Sequence, residues 1–186
     1  MDEIERPFLS DVEELRRRAR EHIEEGAVTV GYAADRAVIL KLLGDALATE
    51  WVCVLRYKRH VFMARGLQAE PVAEEFAQHA AEEMDHADRI ATRITQLGGA
   101  PDLNPAGFVA RSHSEYVEGV SLVDMIKEDL VAERVAIEAY SEIVRYIGER
   151  DPTSRRLMEE ILAKEEEHAD DMADLLATLD PTRAPK

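Results

Sequence analysis

Cysteine is almost missing from this sequence of 186 residues, since Cys53 is the single one and no disulfide can form within the chain. That usage favours a reducing compartment, and we expect a cytoplasmic location. Aromatic residues make up only 5%, while Ala, Leu, Glu and Arg are abundant, which favours helices over sheets. No stretch approaches about 18 consecutive apolar residues, and the acidic N-terminus lacks a hydrophobic signal core, so we expect neither a membrane span nor a secretion signal.

Positive charge is also scarce. Lys and Arg number 23 against 39 Asp and Glu, which gives a formal net charge of −16. An acidic surface repels nucleic acid and attracts cations. We therefore expect no nucleic-acid partner, and metal ions fit the charge better.

The apolar pattern and the helix-capping signals predict an all-α protein. A short helix over residues 10–25 precedes four long helices over residues 35–65, 71–97, 121–148 and 152–179. The links within the first and last pairs are short, whereas about 20 residues join the two pairs. This predicts an antiparallel four-helix bundle with one long crossover. We expect an N-terminal extension at 1–34, the bundle at 35–180 and a tail at 181–186.

Each long helix carries one glutamate inside an otherwise apolar row when its sequence is followed in steps of seven. The four are Glu50, Glu83, Glu133 and Glu165. A buried carboxylate is unfavourable unless a partner compensates its charge. Four such groups near mid-helix, one from each helix, can converge at the centre of a bundle, where metal ions would coordinate them. An accidental polar core is the alternative.

Two histidines strengthen this pattern, because His86 follows Glu83 by three residues and His168 follows Glu165 by three. A step of three keeps both side chains on one helix face, so each pair offers an oxygen and a nitrogen to one metal. The sequence therefore predicts a catalytic centre for two metals with six ligands. Carboxylates with two imidazoles suit iron or manganese, and the lack of thiolates argues against structural zinc and iron–sulfur clusters.

Further polar residues lie near the predicted centre. Tyr57 and Tyr140 each follow a predicted ligand by seven residues and could hydrogen-bond a carboxylate, supply an electron or simply pack in the core. His79 lies one turn before Glu83. It could be a ligand itself, an outer partner of a ligand or a hydrogen-bonded core histidine. We expect the remaining histidines at the surface; they are His22, His60 and His113.

Several stretches of the sequence resemble the bacterioferritin branch of the ferritin superfamily. The segment EEMDHADRI at residues 82–90 resembles a helix pattern of that branch, and DLVAE, EEEHADD and ATEWVCVLRY resemble its other ligand-bearing segments. The resemblance implies a ferritin-like bundle with two iron ions bridged by Glu83 and Glu165. Glu50 with His86 would complete one site, and Glu133 with His168 the other. It further implies ferroxidase activity with dioxygen or hydrogen peroxide and storage of Fe³⁺.

The sequence also departs from that branch. About 35 residues precede the first long helix, and too few follow His168 for a fifth helix, which resembles the smaller shells of Dps-like proteins. We therefore expect a hollow homo-oligomer of 12 rather than 24 subunits. Met84 matches the haem-ligating methionine of bacterioferritins, but we favour packing at a subunit interface over haem. The alternative function is a small iron or manganese enzyme without storage, such as a peroxidase, a catalase or a rubrerythrin-like protein.

Overall fold

The computed structural model describes residues 11–66 and 68–179. Within those ranges it contains six α-helices and no strand. The helices are α1 (Val12–Arg18), α2 (Arg36–Met63), α3 (Ala69–Gln96), α4 (Phe108–Arg111), α5 (Leu122–Ile147) and α6 (Pro152–Leu179), with 3₁₀ turns at Ile23–Glu25 and Pro105–Gly107. The prediction of an all-α bundle with a long crossover is confirmed.

Capping residues set the ends of the long helices. The Asp35 side chain accepts hydrogen bonds from the backbone N–H groups of Ala37 and Val38 at the start of α2. Ser121 accepts from the N–H of Asp124 at the start of α5, and Gly148 ends that helix with φ of 53°. These are favourable residues at helix ends, because a short polar side chain satisfies a free N–H and glycine tolerates positive φ.

The N-terminal helix is shorter than predicted. It begins after Asp11, whose side chain caps it, and ends at Arg18 rather than near Glu25. No residue of α1 is buried within the described chain, so apolar packing does not extend the helix further. The predicted opening residue, Ser10, and the predicted tail at 181–186 lie outside the described residues.

The two hairpins, α2–α3 and α5–α6, pack into one bundle whose interior is divided into two apolar clusters. One cluster lies around Leu43, Ile90, Ile143 and Met158. The other lies around Tyr57, Phe76, Ile126 and Met172. On every long helix the predicted ligand glutamate lies between the residues of the two clusters, so the bundle contains one polar layer between two apolar ones.

The crossover between α3 and α5 packs on α2. The ring of Phe108 in α4 stacks on Trp51 with centroids 6.0 Å apart and planes 2° from parallel. Arg111 donates a hydrogen bond to the backbone oxygen of Gly44 at 3.3 Å. The sequence did not predict this one-turn helix, because burial of Phe108 depends on a contact with a distant helix.

Across the part of the chain that the structure describes, each helix is too short or too polar to cross a membrane. The cytoplasmic location stays a prediction.

Candidate metal centre

The structure brings all six predicted ligands together at mid-bundle. Each comes from one of the four long helices, and their exposed fractions range from 0% to 4%. They are Glu50, Glu83, His86, Glu133, Glu165 and His168. Carboxylates buried this deeply are rare in proteins unless charges or metals compensate them. Their role as metal ligands stays a prediction.

The six side chains form two groups of ligand atoms. One group consists of Glu50, Glu83, His86 and Glu165, and the other of Glu83, Glu133, Glu165 and His168. Within each group the ligand atoms lie within 4.8 Å of one another. Glu83 and Glu165 belong to both groups, which is the arrangement that two metals bridged by two carboxylates require.

A neighbouring carboxylate fixes the orientation of the His168 ring. Its Nε2 lies 2.6 Å from Oε2 of Glu82. Its Nδ1 faces the centre, 3.3 Å from Oε1 of Glu83 and 3.7 Å from Oε2 of Glu165. A carboxylate on the outer nitrogen of a histidine orients the ring and makes the other nitrogen a better ligand. The sequence did not single out Glu82, whose contact depends on the packing of α6 against α3.

The other histidine, His86, also turns Nδ1 inward. This atom lies 2.9 Å from Oε1 of Glu165, 3.3 Å from Oε2 of Glu50 and 3.5 Å from Oε2 of Glu83. The two imidazoles therefore approach the pair of shared glutamates with equivalent atoms.

Two buried tyrosines hold the remaining glutamates. The hydroxyl of Tyr57 donates a hydrogen bond to Oε1 of Glu133 at 2.5 Å, and that of Tyr140 donates to Oε1 of Glu50. His79 is buried as well, and its Nδ1 lies 3.2 Å from the hydroxyl of Tyr57. The three residues predicted near the centre are thus in contact with its ligands or with one another.

The electrostatics of the centre are those of crowded buried charges. Burial and the charge of Glu83 raise the pKa of Glu50 to about 8. Burial and the charges of Glu83 and Glu165 raise the pKa of Glu133 well above its usual range. Without a metal, these two carboxyl groups therefore tend to hold protons.

For the shared glutamates and the two histidines, by contrast, the pKa shifts favour the charged form. Burial opposes the charged form of Glu83 and Glu165, but close contacts with His86, His168 and neighbouring carboxyl groups lower the pKa of both. Although burial lowers the histidine pKa values, close contacts with the glutamates raise the pKa of His86 to about 12 and that of His168 to about 11. Imidazolium groups thus supply positive charge at the positions where metal ions would supply it.

Several polar atoms of the centre lack a hydrogen bond from any residue in the ranges 11–66 and 68–179. They are Oε1 of Glu83, Oε2 of Glu133, Oε1 of Glu165 and Nδ1 of His168. Unsatisfied buried polar atoms are unfavourable, and four of them around one point indicate a missing partner. Carboxylate oxygens with imidazole nitrogens suit iron or manganese, so the residues present fit the predicted pair of metals.

One interpretation of the sequence is wrong. His60 is not at the surface but fully buried, with Nδ1 2.8 Å from Oδ2 of Asp129 and Nε2 3.0 Å from the backbone oxygen of Glu118. Arg56 donates from Nε to the other oxygen of Asp129 at 2.8 Å. This buried network joins α2 to α5 and to the end of the crossover, one to three helical turns from the candidate metal centre.

Comparison with known proteins agrees with this fold. The ferritin-like domain model matches residues 40–181. The chain therefore belongs to the ferritin-like family. The bacterioferritin of Desulfovibrio desulfuricans is 29% identical over 140 residues, or 74% of each chain. Its structure, solved with the diiron site in different catalytic states, has a TM-score of 0.70 at 25% identity and covers 80% of this chain and 86% of its own.

Two further matches have descriptions other than bacterioferritin alone. The DNA protection during starvation protein of Pyrococcus furiosus is 31% identical over 137 residues, which covers 72% of this chain and 74% of the relative. A dodecameric thioferritin of Bacteroides fragilis, described as bacterioferritin-related, has a TM-score of 0.77 at 31% identity and covers 81% of this chain and 91% of its own.

Proposed function

We propose that this protein is a ferroxidase that oxidises Fe²⁺ to Fe³⁺ at the six-residue centre and stores the product inside a homo-oligomeric shell. The observation that carries the proposal is the pair of ligand groups that share Glu83 and Glu165. Two metals held side by side by the same carboxylates can each give one electron to a single oxidant molecule. That pairing suits dioxygen or hydrogen peroxide, which we propose as the oxidants.

In this proposal Glu83 and Glu165 would be shared by two iron ions. Glu50 and His86 would complete the ligands of one iron, and Glu133 and His168 those of the other. Tyr57, Tyr140 and Glu82 orient ligands through the hydrogen bonds described above. Manganese would fit the same donors, and we favour iron because the D. desulfuricans relative is described as having a diiron site.

The surface supports an assembly of several chains. Large apolar side chains are exposed on the isolated bundle, including Phe62 at 77%, Val131 at 55% and Met84 at 41%. Exposed apolar residues of this size commonly lie at subunit contacts. We propose a closed shell of 12 subunits, since the B. fragilis structure is described as dodecameric. Met84 then packs between subunits, and haem is not part of the proposal.

Replacing both shared glutamates tests the centre. We expect Glu83→Ala with Glu165→Ala to abolish rapid Fe²⁺ oxidation, measured by stopped-flow absorbance of Fe³⁺ after anaerobic loading. The matched control is Glu74→Ala with Glu166→Ala, which removes exposed glutamates from the same two helices. Circular dichroism shows whether both variants stay helical. Equal oxidation rates in the wild-type protein and in the folded Glu83→Ala, Glu165→Ala variant would contradict the assignment.

Iron content tests the storage step separately. A storage shell retains many more iron atoms per chain than the two ligand groups can hold, after repeated additions of Fe²⁺ in air. A small di-metal enzyme instead retains only a few iron atoms per chain. Size-exclusion chromatography followed by iron analysis of the protein peak distinguishes these outcomes, and the second would exclude storage while leaving the metal centre in place.

A further inference from the structure

A third group of possible ligands lies outside the six-residue centre. Glu75 and His79 on α3 face Asp171 on α6, and their ligand atoms lie within 4.8 Å of one another. The side chains of Glu75 and Asp171 are 31% and 41% exposed, while that of His79 is fully buried. The group therefore forms a recess that opens to solvent, with an imidazole at its base.

The buried nitrogen of this imidazole has no hydrogen-bond partner in the described part of the chain. Nε2 of His79 lies 3.2 Å from Oε1 of Glu75 and 3.4 Å from Oδ2 of Asp171, but neither contact has hydrogen-bond geometry. An orphaned buried nitrogen that points between two carboxylates is unusual in a folded protein. It indicates that a partner belongs between these three side chains.

The hydrogen bonds on the other side of the ring define which nitrogen carries the proton. Nδ1 of His79 lies 3.2 Å from the hydroxyl of Tyr57. That hydroxyl donates its only proton to Glu133. It can therefore only accept from His79, so Nδ1 carries the proton of a neutral ring. Nε2 then directs a lone pair at two carboxylates, and a metal cation can accept electron pairs from all three groups.

We propose that Glu75, His79 and Asp171 form a further binding site for a divalent transition-metal ion. One imidazole nitrogen and two carboxylate oxygens suit Fe²⁺, Mn²⁺, Co²⁺ or Zn²⁺, and water completes the coordination at the open side. The site shares no ligand with the six-residue centre. It is nevertheless adjacent, because the ring of His79 stacks on that of His168 with centroids 4.0 Å apart.

This position connects the two sites. A cation on Nε2 of His79 polarises its Nδ1–H, which donates to Tyr57, which in turn donates to Glu133. The further site is thus linked to Glu133, a predicted ligand of the six-residue centre, by two hydrogen bonds. The site does not depend on the proposed oxidation of iron, because any divalent metal with this preference would occupy it.

Equilibrium dialysis of the full chain against Co²⁺ tests the site. We expect Glu75→Gln with Asp171→Asn to bind about one Co²⁺ per chain fewer than the wild-type protein. The control, Glu74→Gln with Asp170→Asn, removes the same charge from exposed neighbours on the same helices and should bind as many as the wild type. Equal Co²⁺ content in all three folded proteins would overturn the proposal.

The same substitutions in a second background separate this proposal from the proposed function. In the Glu83→Ala, Glu165→Ala protein, adding Glu75→Gln and Asp171→Asn should still remove about one Co²⁺ per chain. His79→Gln, which keeps a polar group in the recess but removes the imidazole, should weaken Co²⁺ binding there by at least about tenfold. A loss that occurs only when the six-residue centre is intact would refute an independent site.

Discussion

The hydroxyl of Tyr57 on α2 donates a hydrogen bond to Glu133 on α5, and the hydroxyl of Tyr140 on α5 donates one to Glu50 on α2. Each tyrosine follows the glutamate of its own helix by seven residues and bonds the glutamate of the other helix. The two helices therefore exchange equivalent bonds across the centre. This reciprocity gives the two ligand groups the same support, as two equivalent metal positions require.

Removing either hydroxyl should weaken metal binding. We expect Tyr57→Phe and Tyr140→Phe each to reduce the affinity of the centre for Co²⁺ by about 10- to 100-fold, because a ligand carboxylate loses the bond that orients it. Isothermal titration of the metal-free protein measures the change. Tyr116→Phe, at a half-exposed residue of the crossover, is the control and should bind as the wild type does. Unchanged affinity in both variants would show that the tyrosines serve packing alone.

Metal should also stabilise the fold. A ligand at about 100 times its Kd adds roughly 2.7 kcal/mol when it binds only the folded chain. In a chain of this length that corresponds to about 5–10 °C in Tm. Calorimetry of the metal-free protein with and without Mn²⁺ measures the shift. The Glu83→Ala, Glu165→Ala protein should show a much smaller one, and equal shifts in both would place the stabilising metal elsewhere.

Local sequence signals predicted the parts of the fold that depend on few neighbours. The caps Asp35 and Ser121 and the C-terminal Gly148 define helix ends within one or two residues, because capping acts between residues close in sequence. The apolar rows predicted that one glutamate of each long helix faces the core, because residues seven apart lie on the same helix face. The short α1 could not be predicted in the same way, because its length depends on a lack of tertiary packing.

The contacts around the centre needed the structure. Arg56 and Asp129 are 73 residues apart in sequence, and no local pattern pairs them. Glu82 is adjacent to a ligand in sequence, but only the packing of α6 shows that it contacts His168. Helix periodicity predicts which face of its helix a side chain lies on. The residue that it contacts depends on which helix packs against that face and on the relative position of the two helices along the bundle axis.

A buried carboxylate away from the centre should make stability depend on pH. Asp151 precedes α6 and is 2% exposed. It accepts hydrogen bonds from Ser154, from Tyr32 at 2.8 Å and from Arg93 at 2.9 Å. Burial alone would raise the pKa of Asp151, but these hydrogen bonds and the charge of Arg93 lower it below the usual 3.8.

The lowered pKa fixes the sign of the effect. The stabilisation is fully present above the unfolded pKa, near 4, and is lost as pH falls through the lower folded value. At pH 7 we expect Asp151→Asn to reduce the free energy of unfolding by about 2–3 kcal/mol, since hydrogen bonds to a charged group are lost. Urea denaturation at pH 7 and below pH 4 measures the difference, which should shrink at the lower pH. Asp174→Asn, which replaces an exposed carboxylate on α6, should show little change at either pH.

We expect no binding to DNA at physiological salt, although the P. furiosus relative is named for DNA protection. The net charge of −16 opposes phosphate contacts. In the basic run at residues 16–20, Arg17 already pairs with Glu14 at 2.8 Å and with Glu21. Fluorescence anisotropy with labelled duplex DNA at about 150 mM salt should show no binding below about 10 μM protein. Submicromolar affinity under those conditions would contradict the expectation.

The final prediction concerns assembly. If the centre produces insoluble Fe³⁺, as proposed, the product needs an enclosed volume, and closed point-group symmetry is the usual result of repeated identical contacts. Light scattering should give about 250 kDa, twelve times the 20.9 kDa of one chain. A mass near 20.9 kDa or its double would exclude a shell, and one near 500 kDa would keep the shell but exclude twelve subunits.

The exposed apolar residues of α2 provide a variant for this test. Leu55 and Phe62 are seven residues apart, so they lie on one face of the helix, and they are 48% and 77% exposed. If that face is a subunit contact, Leu55→Ser with Phe62→Ser should shift the mass towards smaller species while the helix content stays constant. Lys41→Ser, at an exposed position of the same helix, should leave the mass unchanged. An intact assembly in the Leu55→Ser, Phe62→Ser protein would show that other faces hold the subunits together.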